Sequence, residues 1–360
     1  MKHIIYNIAG VALTGLMAMG AASCTDYLDK APGTDVSETV AFQNFQNFQG
    51  FIEEMYNCIP EKESCFWCTT FNWGEDEIMN DGAGNTHLSH QMDLGNYRHW
   101  MTDSQNYLGK SENGIHAVGG LSSTSTDKFS HRIYGHSWEC IRKCNQGFEA
   151  LEKGLFLGSK EERKVIEGQL YFFRAWWHNE VMMYFGGMPY IDKVYDSNEE
   201  MKAPRLSYQE CARKAADDFK KAAALLPLNW DNCAPGRPTT GDNDLRVTRT
   251  AALGYAGKCL LWAASPLMEN KDQGVMRAGD LTYKYNTALA KEAAELLGTA
   301  LKECDPKANV TPYSLCSYEY ADIYNHEKAK GVTNSYTDIF YTTQQSWRQP
   351  GSTEAIFRGP

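Results

Sequence analysis

The 360-residue chain carries 35 Lys and Arg against 45 Asp and Glu, a formal charge of −10. That balance argues against nucleic acid as a partner, because phosphate binding calls for clustered cations, and against electrostatic attachment to anionic lipid. Nine Trp, twenty Tyr and fifteen Phe in a chain of this length are enough for a large core in one or two domains.

The chain opens on Lys2 and a mostly apolar run from Ile4 to Met19. The run is short for a membrane span, which needs ~20 apolar residues, and it suits the apolar stretch of a removable secretory signal. Gly20, Ala21, Ala22 and Ser23 come next, and then Cys24. Small residues let the chain lie extended in a peptidase cleft, and a cysteine just after the cut can take a lipid. The reading is a lipoprotein signal peptide over residues 1–23, with Cys24 as the lipid-attachment site of a mature chain 24–360. Acyl chains give about 0.8 kcal/mol of membrane binding per buried methylene, so two or more anchor stably. A plain secretory signal that leaves Cys24 unmodified is the alternative.

Helical periodicity dominates the rest of the chain. Phe45, Phe48, Ile52, Met55 and Ile59 step by three and four, which draws one apolar stripe on a helix. Residues 72–130 break the trend. They are polar and Gly-rich yet hold Trp73, Tyr97, Trp100 and Tyr107, and long connections of this kind are usually functional or disordered. Tyr134, Trp138, Ile141, Asn145 and Phe148 restore the helical step. Ile166, Leu170, Phe173, Trp177, Val181 and Tyr184 form the next stripe. A second row, Val165, Phe172, Trp176 and Met183, makes that helix apolar on most sides and therefore central. Gly186, Gly187 and Pro189 end it. Ser207 and Glu210 form an S-x-x-E capping box before a helix carrying Cys211, Ala215, Phe219, Ala222 and Leu226. Residues 229–246 read as a second loop. Residues 247–264 and 284–303 read as helices, the former crowded with Ala and Gly, which lets a neighbour approach closely. Paired helices of this kind suggest a helical-hairpin array.

The eleven cysteines are scattered, and most read as small buried hydrophobes. Cys140 and Cys144, four apart on a helix, are poorly placed to bridge each other. Export permits disulfides, and the sequence does not assign them.

No G-x-S-x-G, H-E-x-x-H, phosphate loop or G-x-G-x-x-G is present, so the chain is read as a non-enzyme that needs no cofactor. Cys65 and Cys68, with His87 and His90, have the chemistry of a tetrahedral zinc site, but their spacing departs from the common patterns. A redox pair at Cys65 and Cys68 would want a strand-helix-strand setting that the sequence does not offer, and a short local disulfide or two buried thiols is the favoured reading. Trp67, Trp73, Tyr97 and Trp100 are the candidate ligand-binding residues. A flat ring stacks on the C–H face of a sugar, and Asn72, Asp76 and Asn96 can hydrogen-bond its hydroxyls. The competing reading is that these rings pack as satellite core.

Several blocks resemble the SusD/RagB family of outer-membrane lipoproteins. They are CTDYLDKAP from Cys24, SWECIRKCN at 137–145, GQLYFFRAWWHNEVMMYFGGMPYID at 168–192, RLSYQECARKAADDFKKAAALLP at 205–227, GRPTTGDNDLRVTRTAALGYAGKCLLWAASP at 236–266, and STEAIF near the end. Their order is the family's, and together they span most of the mature chain. The resemblance implies a mostly α, SusD-like fold of tetratricopeptide-type helical hairpins with long irregular loops. It implies a lipid anchor, exposure on the cell surface at the outer membrane, and a SusC-like TonB-dependent transporter as partner. It implies a glycan or oligosaccharide ligand, with peptides bound by some members, and a loop-borne aromatic platform. Family members are longer, which implies that the C-terminal region is missing here. Arg174 and Asn145 match family positions and are expected to hold helices together. The resulting expectation is a surface nutrient-binding lipoprotein that captures oligosaccharide and passes it to the transporter. A helical-repeat scaffold for proteins or peptides is the alternative.

Overall fold

The computed structural model describes residues 38–59, 133–196, 198–269, 284–315 and 354–357. Two units are distinguished, Met1–Ala41 and Phe42–Pro360. Short helix α1, Glu38–Phe42, spans their boundary, and the second unit holds the remaining helices. Among the described residues there is no strand. The fold is helical: α2 Phe45–Asn57, α3 Ile133–Glu152, α4 Lys160–Phe185, α5 Tyr208–Leu225, α6 Arg249–Ala263 and α7 Thr287–Glu303. From α3 onward each helix packs on the next, and α2 lies against α4. This is the succession of helical hairpins that the sequence blocks imply.

The helix ends obey local chemistry. Asn44 caps α2, its side chain accepting from Asn47 N at 2.9 Å. The capping box before α5 forms, with Ser207 N donating to Glu210 Oε2 at 2.9 Å and Glu210 N donating to Ser207 Oγ at 3.3 Å. Ser159 and Glu162 build the same box before α4. That second S-x-x-E is a start signal which apolar periodicity alone does not show. Helix α4 closes on Gly186, whose φ of +77° favours glycine.

Helix α4 is the centre. Ile166, Leu170, Phe172, Phe173 and Trp177 are inaccessible to solvent, as the doubled apolar row predicts. Phe48, Ile52 and Met55 of α2 bury on one side, and Cys211, Ala215, Phe219 and Ala222 of α5 on the other. Ile59 is buried as well, though the helix has ended before it. Phe357 returns from far along the chain into this core, its ring 5.2 Å from Phe172 and 5.8 Å from Tyr255. A reciprocal amide pair crosses from α2 to α4. Gln49 Nε2 donates to Gln169 Oε1 at 3.1 Å, and Gln169 Nε2 donates to Gln49 Oε1 at 2.8 Å. Tyr56 extends it, donating to Gln169 Oε1 and accepting from Val247 N, each at 3.0 Å. Buried carboxamides are tolerated because they are partnered in this way.

Small residues set the remaining helix spacing. A Cβ on Gly257 would fall 2.5 Å from Leu297 Cγ, which fixes the close approach of α6 and α7. Gly187 is tighter still. A Cβ there would lie 2.1 Å from Leu206 O and 2.7 Å from Ser207 C, both backbone. Gly187→Ala should therefore cost about 1–3 kcal/mol, because the obstructing atoms cannot rotate away. Urea denaturation measures it, and a loss under about 0.5 kcal/mol would count against that close approach.

Residues 229–246 are more ordered than a loop reading suggests. They contain two short 3-10 turns, Trp230–Asn232 and Arg237–Thr239. Trp230 is buried and donates from Nε1 to Val247 O at 2.8 Å, under the Arg246 guanidinium at 5.0 Å. Asn243 Nδ2 donates to Asp231 Oδ1 at 2.6 Å and to Gly236 O at 2.9 Å, which ties the two ends of the segment together.

Candidate functional site

The sequence candidates Cys24, Trp67, Trp73, Tyr97 and Trp100 lie outside the described residues, as do Cys65, Cys68, His87 and His90. Among the described residues no three His, Cys, Asp or Glu side chains are grouped to hold a metal. No described helix is long and apolar enough to cross a membrane.

The densest polar cluster is built around Arg174 of α4. Its Nε donates to Asp218 Oδ2 on α5 at 2.7 Å, and its Nη1 to Asn145 Oδ1 on α3 at 3.1 Å. The guanidinium also lies 4.6 Å from the Phe148 ring centre. Asn145 Nδ2 donates to the carbonyls of Ile191 at 3.2 Å and Lys193 at 3.1 Å. Tyr190 donates to Asp218 Oδ2 at 2.8 Å and stacks on His178 at 3.9 Å. His178 Nδ1 donates to Arg174 O at 2.7 Å, and its Nε2 accepts from Ile191 N at 3.0 Å.

These bonds define what the cluster can do. Burial pushes the His178 imidazole down to about 3, so both ring nitrogens serve as fixed neutral partners and no lone pair is left to take a substrate proton. Burial also pushes the Tyr190 phenol well up, and the Asp218 carboxylate beside it acts the same way. The cluster clamps the chain after α4 onto α3 and α5. The structural roles expected for Arg174 and Asn145 are the ones they have.

Among the described residues, two open depressions bear on the site. One, of about 380 Å³, is lined by Leu206, Gln209, Glu210, Arg213, Lys214, Asn286 and Leu289 between α5 and α7. Its carboxamides are linked, Asn286 Nδ2 donating to Gln209 Oε1 at 3.2 Å, while Gln209 Nε2 donates to Ala263 O at 3.0 Å. Next to these anchor points in the chain, Trp262 and Tyr285 stand 45% and 47% exposed. Sequence reasoning places its aromatic candidates elsewhere and treats this helix as close-packed. The signal available is a Trp beside the Ser265-Pro266 break that ends α6. The second depression, about 410 Å³, lies between the start of α4 and the Pro227–Arg237 segment and includes Val165, Leu226 and Cys233.

Residues 26–261 match the sequence model of a SusD-like family described as starch-binding and associating with the outer membrane. The chain belongs to this SusD-like family. The matched span runs through α6 and contains the whole Arg174 cluster. No curated protein matches the chain. Solved structures that resemble it include a SusD homolog from Bacteroides thetaiotaomicron VPI-5482, 15% identical over 80% of this chain and 45% of that one, TM-score 0.49. Surface glycan-binding protein A from Bacteroides uniformis is 13% identical over 81% of this chain and 50% of that one, TM-score 0.42. A SusD-like protein from Bacteroides fragilis NCTC 9343 is 20% identical over 47% of this chain and 27% of that one, TM-score 0.35. The SusD-like chain thus spans half or less of the length of each of these structures.

Proposed function

We propose that this SusD-like protein is a surface lipoprotein that binds oligosaccharide and passes it to a SusC-like TonB-dependent transporter in the outer membrane. The observation that carries the reading is the family match over residues 26–261, whose description names both starch binding and the outer membrane. The signal-like run ending in Cys24 supplies the anchor in this reading. Trp67, Trp73, Tyr97 and Trp100 supply stacking faces for sugar rings. Binding is non-covalent, and the protein makes and breaks no bonds in its ligand. Weak affinity per site is expected, because a sugar gives up many hydrogen bonds to water on binding and regains only part of them.

The test has two arms. The full chain is expressed in a Gram-negative host and the mass of its N-terminus is measured. A chain that starts at Cys24 and carries acyl mass supports the anchor, whereas a free Cys24 thiol removes it. Glycan arrays on the purified protein, repeated with Trp73→Ala and Trp100→Ala, test the ligand. Loss of about tenfold or more in affinity per ring is expected, since one base- or sugar-sized stacking contact is worth about 1–3 kcal/mol. Glycan binding unchanged in both variants moves the site away from residues 67–100, and Trp262→Ala then tests the exposed end of α6. Binding of peptides with no glycan binding would replace the oligosaccharide reading with the scaffold reading.

A further inference from the structure

Helices α2 and α3 meet in an antiparallel register that brings sulfur to sulfur. Glu54 pairs with Lys143. Beside that pair, the Cys144 thiol donates to Met55 Sδ at 3.3 Å. One turn further along α2 and one turn back along α3 stand Cys58 and Cys140. Residues 54 and 55 thus face 143 and 144, and the register that these two contacts set places 58 opposite 140. All three cysteines are buried, with thiols unjoined.

We propose that Cys58 and Cys140 are a disulfide pair that joins the end of α2 to α3. The geometry favours this pair over the alternatives on the same helices. Cys144 turns its sulfur to Met55, and its neighbour Cys140 lies on the same helix at a spacing that does not bridge without strain. Cys58 is the C-cap of α2, with φ −82° and ψ −8°, so it sits past the last helical residue. It can rotate to shorten the contact to the S–S length of about 2.05 Å without breaking a mid-helix turn.

The two thiols are unequal. The neighbouring Cys140 is the largest influence on Cys58 and lowers its pKa, with Lys143 adding to it, against burial, Glu139 and Glu54. Cys140 is raised, by burial first. Cys58, at the helix end and the less buried of the two, is the attacking sulfur. Its thiolate attacks one sulfur of a disulfide oxidant, such as glutathione disulfide or an oxidised thiol–disulfide oxidoreductase, and expels a thiolate. Cys140 loses its proton and attacks Cys58 Sγ in the mixed disulfide, expelling the second thiolate. Two protein thiols yield one S–S bond, and the oxidant leaves as two thiols that carry the two protons and two electrons. An exported chain meets such oxidants.

The pair closes the chain on either side of residues 60–132, the stretch that holds Trp67, Trp73, Tyr97 and Trp100. That consequence rests on the glycan reading. The bond does not, and its test is separate from any ligand assay. The full-length protein is reduced, equilibrated with oxidised and reduced glutathione, unfolded in denaturant with iodoacetamide, digested, and mapped by mass spectrometry. The expected product is the Cys58 peptide joined to the Cys140 peptide, two hydrogens lighter than their sum. Reductant should lower the Tm of this form by about 5–10 °C, a shift that disappears in Cys58→Ala. Recovery of both peptides in alkylated form overturns the proposal, as does Cys58 joined to Cys65, Cys68 or any other cysteine. The peptide map on the unmutated chain decides the matter even where Cys58→Ala does not fold.

Discussion

Arg174→Ala is expected to destabilise the protein by about 3 kcal/mol or more, because it strands the buried Asp218 carboxylate without its main partner. The side chains of Arg174 and Asp218 are 8% and 4% exposed. Tyr190 still donates to Asp218, and Lys221 lies 3.3 Å from its Oδ1, which keeps the loss from growing larger. Arg174→Lys should recover little, since an ammonium cannot reach Asp218, Asn145 and the face of Phe148 together. Arg174→Met combined with Asp218→Leu should restore much of the stability, because it removes both charges from the interior. Urea midpoints of the three variants measure this. A loss below about 1 kcal/mol for Arg174→Ala would show that the cluster does not hold α3, α4 and α5 together.

The second large effect is acid sensitivity through His178. Its ordinary value is 6.5, and burial holds it at about 3 in the folded chain. Between these values the unfolded chain binds a proton that the folded chain refuses. Stability from this residue is complete above pH 6.5 and falls as the pH drops toward 3, by about 1.4 kcal/mol per unit. Taking the protein from pH 7.5 to 4.5 should cost about 2–3 kcal/mol through His178 alone. The groups facing the ring are Arg174 and Asp218, with Tyr190 stacked on it and the Trp138 ring at its edge. Denaturant unfolding at the two pH values, on the unmutated chain and on His178→Gln, isolates the contribution. Equal acid losses in the two proteins would refute the assignment.

Both effects arise where distant segments meet, and that is where sequence reading stops. The periodic stripes of α2 to α5 and α7 were legible because a 3.6-residue repeat writes its buried face directly into the chain. The central place of α4 came from its second apolar row, and Ser207 with Glu210 announced the start of α5. The burial of Cys144, Cys211 and Cys259 was legible from their places on apolar faces. Family membership was legible in the ordered blocks from Cys24 to Pro266. The platform residues Trp67, Trp73, Tyr97 and Trp100 remain a proposal, since polar Gly-rich sequence carries no period from which a packing partner can be read.

Composition and repeat, then, determined by themselves that this is a helical protein with a signal-like start and an acidic surface. Tertiary structure decided which residues meet. Asp218 became the partner of Arg174 across 44 positions, and the small residues at 187 and 257 became points of close approach that leave no room for a Cβ. The physical reason is one of range. Helix formation is a property of a few turns of chain, so its signal is local. The pairing of a buried charge or thiol depends on the rotation and offset of two packed helices, and neither helix encodes that offset alone.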